Sequence, residues 1–236
     1  MRNRGDTMEE AANVLFSIGP LEVTGTVTTM WAIIAVLGFV SWLATRKLEE
    51  IPGPLQTGAE LAVGGLRNFF ADILGMEHAR KYLPILGTFF IFIIVCNYSG
   101  LLPGAGHLTG FSVPTACLSI TAGLGVVAFF TTHVIGVKER GLGPYLKSFA
   151  SIKPALLIIL MLPLNLIEQI IRPLSLALRL YGNMYGEETV TEQLYELFPI
   201  VAPLIMQVLS LLFCALQAIV FTMLLSIYIS EAIEEE

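Results

Sequence analysis

Residues 163–188 read PLNLIEQIIRPLSLALRLYGNMYGEE. Most of this stretch is apolar enough for a bilayer, yet it carries Glu168, Arg172 and Arg179. Asn165, Glu168, Arg172, Ser175, Arg179 and Asn183 follow one another at steps of 3, 4, 3, 4 and 4 residues. On a helix of about 3.6 residues per turn those steps draw one continuous polar stripe. A charge near the middle of a membrane helix costs roughly 3 kcal/mol on insertion scales and more in simulations, so it calls for a partner or a water-filled path. An ion pair between Glu168 and Arg172, four residues apart on a helix, accounts for two of the charges. It leaves Arg179 with no acid three or four residues before it.

The rest of the chain belongs to the same class. Of 236 residues, 55% are hydrophobic and 14% charged, against roughly 25% charged in a soluble domain. The long apolar runs describe an all-α polytopic membrane protein with about five transmembrane helices and no sizeable soluble domain. The spans are expected at about 24–45, 83–102, 113–137, 152–184 and 198–230, forming a single membrane domain over 24–236. Residues 1–23 are expected as an extracytoplasmic amino-terminal segment, without the apolar core and cleavage site of a signal peptide. Residues 55–75 mix apolar positions with Glu60, Arg67 and Asp72, so they read as an amphipathic interfacial helix. Cys96, Cys117 and Cys214 lie in apolar segments without metal-ligand spacing and read as small buried hydrophobes. No metal, cofactor or nucleic acid is expected.

The last two helices are expected to be about 32 residues long, roughly 48 Å at 1.5 Å per residue, against a hydrocarbon core of about 30 Å. They must tilt or bend, and Pro163 and Pro173 allow a bend in the fourth. A short acidic loop is expected to join them into an extended hairpin able to wrap a large neighbouring surface. Arg46, Lys47, Arg67, Arg80, Lys81, Lys138, Arg140, Lys147 and Lys153 make up nine of the 13 basic residues, and all fall within 46–82 and 138–153. Five spans put both segments on one side, the cytoplasm, with the amino terminus outside and the acidic tail EAIEEE cytoplasmic and solvated.

This orientation orders the stripe by depth. Asn165 and Glu168 fall toward the cytoplasm, Arg179 deeper, and Asn183, Glu187 and Glu188 toward the outer end. The fifth helix carries Gln207, Ser210, Cys214 and Gln217 at steps of 3, 4 and 3, with Tyr228 three turns beyond Gln217. Polar residues on paired helices either line a hydrated path or bond one another. Both readings stand for Gln207, Gln217 and Asn97.

PLSLALRLYGNMYGEE in the fourth helix, LQAIVFTMLLSIY in the fifth and NYSGLLPG at the end of the second span together resemble subunit a of the F-type ATP synthase membrane sector. The similarity runs from about residue 83 to the end, strongest in 160–190 and 210–230. The resemblance implies an ion-translocating stator subunit with no catalytic site of its own. Its implied partners are a ring of c subunits, the b subunits of the peripheral stalk and the remaining F1Fo complex, in a bacterial plasma membrane. Two offset half-channels would pass H+, or Na+, to and from the ring carboxylate. Arg179 matches the family's signature arginine, and Asn183, Gln217 and Asn97 resemble positions near the outer inlet. Glu188 matches an acidic inlet position, Glu168 and Asn165 fit the outlet, and Tyr228 closes the fifth-helix motif. Some relatives carry an inlet histidine on the fifth helix. Here that position is Ser210 and its fourth-helix partner position is Glu187, which implies a carboxylate-and-water relay. The leucines around Arg179, at 176, 178 and 180, are expected to face the ring.

Two other readings compete. A secondary transporter could use the intramembrane arginine to bind an anionic substrate, although neither inverted repeats nor broken helices are visible. A structural scaffold would conduct nothing. Co-purification with a c-type ring separates the stator from both.

Overall fold

The computed structural model describes residues 14–18, 21–46, 53–101, 113–148, 155–197 and 201–234. Within them the chain is almost entirely helical. One antiparallel hairpin, β1 (Val14–Ile18) and β2 (Leu21–Thr24), precedes the first helix. Residues 102–112, between the expected second and third spans, most of the segment 1–23 and the junction at 198–200 fall outside the described residues.

Helix α1 spans Gly25–Thr45. Thr28 and Thr29 return their hydroxyls to the carbonyl of Gly25, so these polar side chains enter an apolar helix already satisfied. Helix α2 spans Pro54–Ser99, with Pro54 at its first turn, where the missing N–H costs no bond. The expected amphipathic helix and second span are thus joined through Gly75, whose φ of 75° breaks the helical path without ending it. Only glycine takes that conformation freely. A short 3₁₀ turn, Pro114–Ala116, leads into α3 (Leu118–Arg140), and α4 (Leu142–Ser148) follows where a basic loop was expected.

Helix α5 spans Ala155–Leu197 and α6 spans Val201–Ile233. The expectation of an acidic loop after Met184 is therefore corrected: α5 continues through Gly186, Glu187 and Glu188 to Leu197. Thr189 and Thr191 bond the carbonyls of Tyr185 and Glu187 four residues back, which keeps their hydroxyls inside the helical pattern. With 43 residues, α5 is about 64 Å long, roughly twice a hydrocarbon core. Pro163 and Pro173 lie within it. Among the described residues, α1, α2, α3 and α6 are long and apolar enough to cross a membrane.

The chain forms two compact units. The first takes in residues 1–62, 91–117 and 183–218, the second 63–90, 118–182 and 219–236. In the second, α5 buries Leu176, Ala177 and Leu180, while Phe221, Leu225 and Ile229 form the buried face of α6. Phe221 stacks on Phe89 of α2. Near the end of α3, Glu139 accepts bonds from Lys81 and Tyr82 of α2.

Candidate functional site

In the first unit, the polar positions of α6 lie on its buried face. Ser210, Cys214 and Gln217 are all buried, and so is Asn97 of α2. Their steps of four and three residues keep them on one side of the helix. Gln207, at the start of the expected stripe, is exposed instead. Asn183 Nδ2 donates to Gln217 Oε1 at 2.6 Å. Asn97 Nδ2 donates to the carbonyl of Cys214 at 3.3 Å. The Ser210 hydroxyl bonds the Glu187 carboxylate. Glu188 lies beside it on α5, half-buried.

These contacts leave groups over. Among the described residues, Asn97 Oδ1, Gln217 Nε2 and Glu187 Oε2 are buried with no hydrogen-bond partner. An orphaned buried polar atom costs roughly 1–3 kcal/mol, and native proteins meet that demand with water. Three of the six polar side chains thus each keep one buried atom that no group among the described residues satisfies.

In the second unit the charges pair. Arg172 donates to Glu168 at 2.6 Å and to Glu231 of α6, and its guanidinium stands 4.9 Å from the centre of the Tyr228 ring. The expected Glu168–Arg172 pair is present, and Glu231 is a third member that sequence reasoning assigned to the solvated tail. The signal was available: Glu231 is three residues after Tyr228 and shares its helical face. Asn165, one turn before Glu168, is half-buried.

Arg179 differs. It is exposed, and among the described residues it has no salt bridge and no hydrogen bond. Ile167, Ile171, Leu174 and Leu178 are exposed along the same stretch of α5. The expectation for the neighbouring leucines divides: Leu178 is exposed, but Leu176 and Leu180 are buried. A helix turns about 100° per residue, so residues two apart cannot share a face. Arg179 and Tyr228 belong to the second unit, Asn183, Glu187, Glu188, Ser210, Gln217 and Asn97 to the first.

The sequence pattern of the family described as ATP synthase A chain matches residues 27–230. The chain belongs to that family. It is 42% identical over 210 residues to "ATP synthase subunit a 3" of Pelobacter propionicus, covering 89% of this chain and 87% of that protein. It is 36% identical over 222 residues to "ATP synthase subunit a 2" of Bradyrhizobium sp., covering 94% of each. "ATP synthase subunit a" of Geotalea daltonii is 40% identical over 206 residues, with 87% and 86% covered. Family membership and the apolar helices make this chain a multi-pass membrane subunit of an ATP synthase, with a part in ATP synthesis and ion transport.

Proposed function

We propose that this family member is the ion-translocating stator of a rotary F-type ATP synthase in a bacterial plasma membrane. Its amino terminus is outside, its carboxyl terminus cytoplasmic, and α5 crosses the membrane as the fourth of five spans. The observation that carries the reading is the contrast between two arginines seven residues apart. Arg172 has two carboxylates, whereas Arg179 is exposed on an apolar stretch and among the described residues has none. A cation left in that state on a membrane helix meets its partner in another chain.

That partner is the membrane carboxylate of a c subunit. Facing lipid, such a carboxylate stays protonated or ion-bound, because burial disfavours the charge. Brought within about 4–6 Å of a guanidinium it favours the ionised form and releases its ion. Arg179 also bars a direct path between two half-channels, and arginine stays charged where lysine would give up its proton. Asn97, Asn183, Glu187, Glu188, Ser210 and Gln217 line the outer inlet, where the orphaned atoms of three of them support a hydrated path. Asn165, Glu168 and Tyr228 line the cytoplasmic outlet. The ion is H+. The stator works beside the c ring, with the b subunits of the peripheral stalk holding it in the F1Fo complex.

Thiol accessibility tests the two half-channels. Cysteines at Asn183 and Gln217 react with a membrane-impermeant reagent from the outer side, and one at Glu168 from the cytoplasmic side. Labelling of all three from a single side contradicts two offset paths.

A further inference from the structure

The second unit holds a cavity among α3, α5 and α6. Phe129, Thr132 and His133 of α3, Gln169 and Arg172 of α5, and Tyr228 of α6 line it together with apolar side chains. It leaves about 20 Å³ for the centre of a water-sized sphere, where roughly 10–15 Å³ suffices for one water. His133 Nδ1 is buried, with no hydrogen-bond partner among the described residues. Pro173, also in the cavity wall, has no N–H, so α5 offers no backbone donor from that position to the carbonyl of Gln169. A void of this size beside an unfilled imidazole nitrogen and an under-used carbonyl is a place for water.

The His133 ring is held in place. The Phe129 ring centre is 4.0 Å away, and the Tyr145 ring of α4 meets it edge-on at 6.1 Å. The charged and titratable groups around it are Arg172 from α5, Tyr228 from α6 and Tyr145 from α4. Burial holds the Tyr145 phenol above its ordinary range, so it stays neutral. Arg172 is itself bonded to Glu168 and Glu231, both about half exposed. The cavity wall and the two carboxylates therefore share one residue.

Imidazole is the side chain whose charge changes nearest neutral pH. With its proton on Nε2, the neutral ring leaves Nδ1 as an acceptor. We propose that this cavity is a hydrated station on the proton's exit path and that His133 holds the proton there. Hydronium in the cavity gives its proton to Nδ1 and becomes water. The imidazolium returns the proton to a second water bound for Glu168 and Glu231, so nothing is consumed. The inference rests on the half-channel reading and adds His133 and Glu231 to the outlet.

The test uses the complete ATP synthase reconstituted in liposomes, with ATP-driven acidification followed by a pH dye. His133→Ala slows translocation about tenfold, less than the factor of about 10² to 10⁴ a positioned acid–base group contributes, because water in the enlarged cavity still conducts. Added imidazole restores the rate, whereas pyrazole, a ring of the same size that stays unprotonated at neutral pH, does not. His133→Gln keeps bulk and hydrogen bonding but cannot titrate. It shows the same loss in a complex that assembles normally. Equal rescue by the two rings makes His133 a packing residue and overturns the inference, as does a parental rate in His133→Gln. Arg179→Ala in the same vesicles separates the two claims. Pumping that survives there sinks the half-channel reading, whereas pumping lost there but unimpaired in His133→Gln sinks only the role of His133.

Discussion

Arg172→Gln removes the cation that joins α5 to the end of α6. Two ion pairs are lost, to Glu168 and to Glu231, together with the contact to the face of Tyr228. The Arg172 side chain is 20% exposed and the two carboxylates 54% and 48% exposed, so solvent screens both pairs. Exposed pairs contribute about 0.2–1 kcal/mol each and an exposed cation–π contact about 0.5–1 kcal/mol, which puts the loss at about 1–3 kcal/mol. Two carboxylates left facing the same vacated position add repulsion. The assay is unfolding of the purified chain by SDS titration, followed by circular dichroism. Arg172→Gln unfolds at a lower SDS fraction than the parent, and the difference shrinks as salt rises. Glu231→Gln, which loses one pair, falls between them. A double-mutant cycle between Arg172 and Glu231 returns a coupling of about 0.2–1 kcal/mol. Parental unfolding of Arg172→Gln, or a cycle with no coupling, refutes the reasoning.

Gly125→Ala places a methyl 2.8 Å from the Pro173 carbonyl oxygen and 3.2 Å from Ala177 Cβ. The overpacking costs about 1–3 kcal/mol and appears as earlier unfolding in the same titration. A cysteine at Leu178 crosslinks to one near the ring carboxylate in the assembled complex and stops rotation. Cysteines at Leu176 and Leu180 do not, because those side chains are buried. Efficient crosslinking at all three positions contradicts the facing assigned to α5.

The helices were legible in the sequence because apolar runs and 3.6-residue periodicity are local properties. The stripe on α5 was legible for the same reason, and with it the Glu168–Arg172 pair. The far end of α5 was not: glycines at 182 and 186 followed by two glutamates resemble a loop, yet threonine hydroxyls and helix-forming residues carry the helix on to Leu197. Facing was legible only in part. Leu176, Leu178 and Leu180 are alike as residues, and only the packing of the folded chain separates the buried two from the exposed one. Glu231 and His133 were missed for a common reason. Each draws its chemistry from another helix, Glu231 from Arg172 and His133 from the cavity it lines; periodicity put Glu231 on the face of Tyr228 but could not name the arginine on α5 that it meets. The Asn183–Gln217 bond, 34 residues apart, was reachable because the family motifs mark both ends.

The central claim is that Arg179 serves a partner outside this chain, and ATP-driven proton pumping by the reconstituted complex tests it most directly. Arg179→Ala is expected to assemble with the c ring, since among the described residues Arg179 bonds nothing within the chain, and to pump no protons. Arg179→Lys is expected to fail or nearly so, because a poorly hydrated ammonium gives up its proton more readily than a guanidinium. Pumping by Arg179→Ala at the parental rate contradicts the account.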